Sequence, residues 1–379
     1  MTRVRVLSLC SFLSAATAVP YHVGRTENVT RLANDVVHRL VIDQATRCEV
    51  DGIVKAALKQ KKAATVIGIT DGDKSVVYGY GRVTDNRDAK PDGETMFEIA
   101  SLSKLFTALI LADMVNHGEV SLNDPVEKYM PTTVHVPTFA GTAITLLHLA
   151  NYTSGLPRMP KERKDAWTPF STERLYKTIG TYKLSARPGS KYQYSNLAYV
   201  LLGQALSNKT GQTYNELLKQ RVTEPLRMNH TVIRLSPGME RKFALGHDST
   251  GRPVPCSILM GCGASGDVRS TANDMLKFLA AYVNPTNAPE DLRDDILETI
   301  KTRAQNDTAQ IGLAWATSRS GIVQKTGLLS GYRSFVGFSP TAGVGVVVLT
   351  SSIAVDAPEI GRDLLGLLTN SEDPIIPED

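Results

Sequence analysis

Residues 97–117 read FEIASLSKLFTALILADMVNH, and the part after Ser101 is apolar on nearly every side when it is drawn as a helix. A helix without a polar face belongs in the interior of a domain. Gly118 follows this segment and is the kind of residue that ends a helix. We therefore predict a buried central helix that begins near Phe97 and carries Ser101 and Lys104 in its first turns.

Ser101 and Lys104 form a Ser-x-x-Lys pair in this helix. A serine hydroxyl is a poor nucleophile without a base, and residues three apart on a helix face the same way. Apolar surroundings favour the neutral, basic form of Lys104, and a helix N-terminus favours negative charge on Ser101. A capping serine followed by a surface lysine is the alternative, but a lysine is costly in so apolar a helix.

The tripeptide Tyr194-Ser195-Asn196 lies in a loop before a predicted helix. A tyrosine hydroxyl near ammonium groups can move a proton, and Asn196 can hold a substrate carbonyl or fix the lysine. Taken alone, the tripeptide is better explained as an ordinary helix-capping loop.

The tripeptide Lys325-Thr326-Gly327 lies at the end of a predicted strand. Lys325 and Thr326 can receive an anionic or carbonyl group, and Gly327 lets a ligand approach the backbone closely. The backbone N–H of Leu328 can point at an oxyanion. An ordinary strand end is the alternative for this motif alone.

The other predicted elements place these motifs in one fold. A hairpin at Thr65–Ile69 and Ser75–Tyr80 is followed by the central helix and a mainly helical middle. Four β segments and a closing helix come last: Ile311–Thr317, Ile322–Lys325, Ser334–Phe338, Val344–Thr350 and Ala357–Leu368. Consecutive hairpins imply an antiparallel sheet. The fold class is therefore α/β (α+β), an antiparallel sheet flanked by helices with an inserted helical domain.

This organisation divides the chain into five predicted parts. They are a signal peptide (1–18), an N-terminal segment (19–44), a discontinuous α/β domain (45–117 and 300–369), a mainly helical domain (118–299) and a tail (370–379).

The three motifs, in this order, resemble the set found in serine β-lactamases and penicillin-binding proteins. The Tyr-x-Asn form is similar to class C β-lactamases, D-alanyl-D-alanine carboxypeptidases and related esterases. Residues 97–100, 122–126, 149–157, 225–231 and 325–340 also look like family segments, so the resemblance covers essentially the whole mature chain. It implies a class C β-lactamase-like fold, with the site in the cleft between the α/β and helical domains.

The resemblance also implies a role for each motif residue. Many esterases of the family lack the lysine of the third motif, so its presence here favours a carboxylate-bearing substrate. The implied roles are nucleophile (Ser101), proton transfer (Lys104 and Tyr194), substrate binding (Asn196, Lys325, Thr326 and Gly327) and oxyanion hole (the backbone N–H groups of Ser101 and Leu328).

The N-terminus predicts secretion. Arg3 and Arg5, a short apolar run and the small residues before position 19 form a signal peptide, for which a buried helix is the alternative. Cys256 and Cys262 can form a disulfide that closes a short loop, which would leave Cys48 free. Cys48 can also form a disulfide with either of them. Five Asn-x-Thr sequons fit export through a glycosylating pathway: Asn28, Asn151, Asn208, Asn229 and Asn306.

Composition excludes several classes of partner. The net charge is +4, and removal of Arg3 and Arg5 with the leader leaves +2, too little for a nucleic-acid binder. The seven histidines show no metal-ligand spacing, and we expect no cofactor. We expect a monomer that has no membrane segment after cleavage and binds a small ester, amide or lactam. The loops at 158–170 and 241–262 are expected to shape its pocket.

These predictions converge on a secreted serine hydrolase that acts through an acyl-enzyme on an ester or amide. One alternative is an acyltransferase, in which an alcohol or amine of a small metabolite accepts the acyl group instead of water. The other is a binding protein of the same fold without turnover, against which the intact Ser101, Lys104 and Tyr194 weigh.

Overall fold

The computed structural model describes residues 44–59, 63–84, 89–160, 170–255 and 263–370. Its helices are α1 (Gln44–Leu58), α2 (Ser103–Asn116), α3 (Leu146–Ala150), α4 (Thr172–Thr181), α5 (Asn196–Thr210), α6 (Tyr214–Leu218), α7 (Pro237–Glu240), α8 (Ala272–Val283), α9 (Glu290–Ile300) and α10 (Ala357–Thr369). Its strands are β1 (Thr65–Thr70), β2 (Ser75–Tyr80), β3 (Met96–Glu98), β4 (Gly246–His247), β5 (Pro253–Val254), β6 (Arg269–Thr271), β7 (Ala304–Gln305), β8 (Gln310–Ile311), β9 (Ala316–Thr317), β10 (Val323–Leu329), β11 (Tyr332–Ser339) and β12 (Val344–Thr350).

Several predictions fall outside these residues. They are the signal peptide at 1–18, nearly all of the segment 19–44, the sequon at Asn28, the pair Cys256 and Cys262, and the tail beyond residue 370. Cys48 is exposed and is a free cysteine in the described part of the chain. Among the described helices, none has both the length and the apolarity needed to cross a bilayer.

Eight antiparallel strands form one sheet in the order β2-β1-β12-β11-β10-β9-β8-β7. Strand β1 lies between β2 and β12, with Thr65 opposite Tyr80 on one side and Thr350 on the other. The first hairpin turns at Gly72, whose φ of +95° favours glycine. The predicted union of the first and last β segments in one antiparallel sheet is therefore confirmed.

Helices cover both faces of the sheet. Successive residues of a strand point to opposite faces, so Val347 belongs to one hydrophobic core and Val346 to the other. Helix α8 packs on the first face, where a Cβ at Gly68 would lie 2.9 Å from Leu276. Helices α1 and α10 cover the second face, around the buried ring of Phe335.

The central helix is buried as predicted, but its predicted start is wrong. Residues 103–114 of α2 are all buried. The residues before it form strand β3, which pairs with β6 and holds Glu98 in an ion pair with Arg269 at 3.0 Å. A 3-10 turn, Ala100–Leu102, then carries Ser101. Pairing with a distant strand overrides the local helical pattern here.

Other differences also have tertiary causes. Helix α1 lies in a segment for which no element was predicted. The segment Ile311–Thr317, predicted as one strand, is the hairpin β8–β9, with Ala314 between the strands at a φ of +65°. Helix α8 packs on the sheet although it belongs to the predicted helical part 118–299. The domain boundaries themselves stay predictions.

Candidate active site

Ser101 lies on the strained turn that joins β3 to α2. Ala100, the residue before it, has a φ of +52°, a conformation that costs roughly 1–3 kcal/mol for a residue other than glycine. Two buried hydroxyls hold this turn: Ser103 Oγ donates to the Ala100 carbonyl at 2.7 Å and Ser334 Oγ to the Ile99 carbonyl at 2.8 Å. The turn leaves Ser101 partly exposed while its neighbours are buried.

Lys104 lies beneath Ser101 and is fully buried. Its Nζ donates to Ser101 Oγ at 3.1 Å, to Asn196 Oδ1 at 2.8 Å and to the Ser265 carbonyl at 2.5 Å. A buried amine needs such acceptors because burial without them is costly. The structure therefore brings the predicted serine and lysine into direct contact and adds Ser265, which no sequence pattern indicated.

Tyr194 reaches Ser101 from the opposite side of the cleft. Its hydroxyl donates to Ser101 Oγ at 2.7 Å. The next helix begins at Asn196, and the hydroxyl of Ser195 caps it through the Ala198 N–H at 2.9 Å. The tripeptide therefore caps a helix through Ser195 and contacts Ser101 through Tyr194. The capping interpretation and the site interpretation of its sequence are compatible.

Positive charge surrounds the ring of Tyr194. Its centroid lies 4.7 Å from Lys325 Nζ, 5.1 Å from Lys104 Nζ and 5.1 Å from Arg158 Cζ. Two of these cations, Lys104 and Lys325, are buried, and Arg158 is exposed. The predicted pocket loop at 158–170 thus begins with a charged group of the site, although nothing in the sequence singled out Arg158.

The ring of Tyr152 packs against the ring of Tyr194. Tyr152 is buried, has a φ of +62°, and its ring centroid lies 4.8 Å from that of Tyr194 and 5.3 Å from that of Tyr199. Lys325 Nζ lies 5.1 Å from its centroid. Burial raises the pKa of Tyr199 well above its ordinary value, so that phenol stays neutral. Tyr152 belongs to the family segment 149–157, and its contacts form only when the chain is folded.

The third motif lies within strand β10, not at its end. Strand β9 pairs only with Val323 and Gln324, so from Lys325 onward no described strand pairs with that edge of β10. A Cβ at Gly327 would lie 2.7 Å from the Ile99 carbonyl, so the glycine makes room for the serine turn, and its predicted role in ligand binding stays a prediction.

The remaining predicted groups differ in accessibility. Lys325 is 5% exposed, Thr326 is half-buried, and the side chain of Leu328 is half exposed. The oxyanion-hole assignment of the backbone N–H groups of Ser101 and Leu328 stays a prediction. Among the described residues, no cluster of three or more histidine, cysteine or acidic side chains could hold a metal.

The predicted glycosylation sites differ in exposure. Asn151 is 3% exposed and accepts a hydrogen bond from Thr153 at 2.7 Å. Asn208 and Asn229 are exposed, although Asn208 Nδ2 donates to the Tyr129 carbonyl. Asn306 is partly exposed and its Oδ1 accepts two backbone N–H groups of its own turn.

One groove of the described chain lies away from Ser101. It encloses about 1380 Å³ around the C-terminal half of α5 and contains Asn208 and Tyr214, but none of the residues around Ser101. The candidate site is therefore defined by its hydrogen bonds and charges rather than by the size of a cavity.

Comparison with known proteins gives a consistent result. The family model described as Beta-lactamase matches residues 50–368. The D-alanyl-D-alanine-carboxypeptidase/endopeptidase AmpH of Escherichia coli is 31% identical over 366 residues, covering 92% of this chain and 91% of that protein. The structure of a beta-lactamase/D-alanine carboxypeptidase from Yersinia pestis, complexed with citrate, is 26% identical with a TM-score of 0.73, over 86% and 99% of the two chains.

A more distant structure shares the fold. The class C beta lactamase from Rhodobacter sphaeroides superposes with a TM-score of 0.75 at 21% identity, over 85% of this chain and 99% of that one. The predicted fold class, an antiparallel sheet flanked by helices, is thus confirmed by solved structures as well as by the topology described above.

Proposed function

Because this chain belongs to the beta-lactamase family, we propose that it is a serine hydrolase that forms an acyl-enzyme on Ser101. One observation carries the proposal: Ser101 Oγ lies 2.7 Å from the Tyr194 hydroxyl and 3.1 Å from Lys104 Nζ. Both distances allow direct proton transfer to or from the serine. Ser101 and Tyr194 are both partly exposed, whereas Lys104 is buried, so a substrate carbonyl can reach the serine.

Tyr194 and Lys104 act together as the proton-transfer pair. In acylation the pair starts one proton short of full protonation, and Ser101 Oγ attacks the carbonyl carbon while its proton passes to the pair through the Tyr194 oxygen. Tyr194 then gives this proton to the leaving oxygen or nitrogen as the scissile bond breaks. Lys104, bonded to the same Oγ, stabilises the negative charge that moves between serine and tyrosine.

Deacylation reverses this path. A water molecule attacks the acyl carbon, loses its proton to the pair, and releases the carboxylic acid as Ser101 recovers its proton. The tetrahedral oxyanion of both steps is assigned to the backbone N–H groups of Ser101, in the serine turn, and Leu328, in strand β10.

The substrate is proposed to be a small ester, amide or lactam that carries a carboxylate. Lys325 supplies a cation beside Tyr194, the half-buried Thr326 follows it with a hydroxyl, and the Oδ1 of Asn196 accepts a hydrogen bond from Lys104 at 2.8 Å. The relative from Escherichia coli is named for action on D-alanyl-D-alanine, which supports a peptide ending in a free carboxylate as one candidate. The predicted leader supports secretion as the setting.

Turnover tests this proposal and its alternatives. The purified protein is given a p-nitrophenyl ester, a D-Ala-D-Ala peptide and a penicillin, each with and without an added alcohol or amine acceptor. Release of free acid in the absence of an acceptor supports hydrolysis. Product found only on the acceptor means that the protein is an acyltransferase. Acylation without turnover of any probe means that it is a binding protein.

A further inference from the structure

A charged side chain outside the three motifs lies at the mouth of the site. Arg158 is exposed, and its Cζ lies 5.1 Å from the centroid of the Tyr194 ring. Tyr194 in turn contacts Ser101 through its hydroxyl. An exposed cation–π contact of this kind is weak.

The three cations around Tyr194 differ in what they can still bind. Lys104 is fully buried and donates to Ser101. Lys325 is 5% exposed, and its Nζ lies beside the paired rings of Tyr152 and Tyr194, 5.1 Å and 4.7 Å from their centroids. Arg158 alone of the three is exposed, and no described residue accepts a hydrogen bond from its guanidinium or forms an ion pair with it. Within the described part of the chain, its five N–H donors are therefore available to a ligand.

The backbone of Arg158 is fixed to the site although its side chain is exposed. The Asn196 N–H donates to the Arg158 carbonyl at 3.0 Å, and Ser195 Oγ donates to the preceding carbonyl, that of Pro157, at 2.7 Å. The same tripeptide therefore presents Tyr194 to the serine and anchors the arginine. These bonds fix the backbone from which the guanidinium extends. A guanidinium binds a carboxylate through two parallel hydrogen bonds, which makes the contact geometrically selective.

From this placement we infer that Arg158 is a specificity-determining residue, which binds a carboxylate of the substrate as the reactive carbonyl approaches Ser101. The inference rests on the proposed hydrolase function and deepens it. The motif pattern assigns the substrate carboxylate to Lys325, but this lysine is nearly buried. Arg158 is exposed and is therefore more accessible to an incoming substrate. Preferred substrates carry a carboxylate within reach of this arginine, on the acyl or the leaving side of the scissile bond.

Paired esters test the inference. One pair compares the p-nitrophenyl monoester of glutarate with p-nitrophenyl butyrate, and the other compares 3-carboxyphenyl with phenyl esters of one acyl group. In Arg158→Gln, kcat/KM for the carboxylate-bearing member of at least one pair falls about tenfold or more, mostly through KM, because a charge-assisted bond is lost. The neutral partner changes less than about threefold.

A matched control separates charge at the site from charge in general. Arg47 is also exposed and also lies against a tyrosine, with its Cζ 5.7 Å from the Tyr78 ring, but on helix α1 behind the sheet. Arg47→Gln therefore leaves both pairs of esters unchanged. Arg158→Lys retains the charge without the planar fork and restores part of the preference for the carboxylate.

Two results overturn the inference while leaving the hydrolase proposal intact. One is an Arg158→Gln enzyme that keeps its full preference for the carboxylate-bearing esters. The other is an equal loss on charged and neutral esters together with a shifted pH profile of kcat, which means that Arg158 acts through Tyr194. Failure of the hydrolase proposal looks different, because the wild-type protein then turns over none of the four esters.

Discussion

Gly327 lies directly against Ile99: a Cβ atom at position 327 would stand 2.7 Å from the Ile99 carbonyl oxygen. It would also stand 2.3 Å from Ser334 Oγ, the hydroxyl that donates to that same carbonyl. Strands β10 and β11 thus hold the turn that carries Ser101, and they do so through a contact that only glycine permits. The glycine of the third motif thus packs against the turn that carries the proposed nucleophile.

Gly327→Ala should therefore damage catalysis. The added methyl group pushes the turn and Ser101 away from β10, and a shift near 1 Å costs about a hundredfold in rate. We expect kcat/KM for a neutral ester to fall by about that factor, measured together with thermal unfolding. Gly52→Ala is the matched control, since its Cβ in α1 meets nothing within 4 Å. It should keep full activity and gain about 0.5–1 kcal/mol of stability. Wild-type kcat/KM in Gly327→Ala would show that the turn does not depend on this contact.

Tyr194→Phe should remove proton transfer and leave the packing intact. The variant keeps the ring that contacts the three cations but loses the hydroxyl 2.7 Å from Ser101 Oγ. We expect kcat/KM to fall by about 10²–10⁴-fold, with little change in unfolding temperature. In Tyr129→Phe, which loses a 2.5 Å hydrogen bond to Asp124 far from the site, stability should fall and activity should persist. Undiminished turnover in Tyr194→Phe would remove Tyr194 from the mechanism.

Lys104→Met should slow acylation far more than it weakens substrate binding. Methionine fills the buried space, but the donor to Ser101, Asn196 and Ser265 is lost. Stopped-flow measurement of an ester probe separates the acylation rate constant from the dissociation constant, and only the rate constant should change by about a hundredfold or more. A loss confined to binding would exclude Lys104 from proton transfer. Lys277→Met, at a lysine paired with Asp274, should affect stability only.

Asp295→Asn should stabilise the protein at neutral pH. Burial, with the nearby charge of Asp113 adding to it, raises the pKa of Asp295 to about 6. The folded state thus favours the protonated acid, so ionisation of Asp295 costs stability progressively as pH rises from about 4 to about 6, and the cost is constant above that. The asparagine variant cannot ionise and still accepts the hydrogen bond from Asn116.

Paired denaturant titrations measure this difference. The stability gained by Asp295→Asn should be small at pH 4 and reach about 3 kcal/mol at most at pH 7.5. A gain that is the same at both pH values, or a loss at pH 7.5, would contradict the raised pKa.

The sequence predicted the chemistry of the site better than its shape. Ser101 and Lys104 are three residues apart, so local geometry nearly suffices to bring them together. Arg158 and Tyr152 gave no such signal, because their places depend on anchoring to the Asn196 helix and on a backbone with positive φ. The fold class followed from hairpins and apolar periodicity. The start of α2 did not, because pairing of β3 with β6 is a contact between residues far apart in the chain.

Intact-mass spectrometry tests the central claim, acylation of Ser101, most directly. Wild-type protein and Ser101→Ala are each incubated with a penicillin, a p-nitrophenyl ester and a D-Ala-D-Ala peptide, and then quenched in acid. The wild-type protein should gain the mass of the acyl group from at least one probe, and Ser101→Ala should gain none. An adduct on Ser101→Ala, or no adduct on the wild-type protein with any probe, would contradict the account.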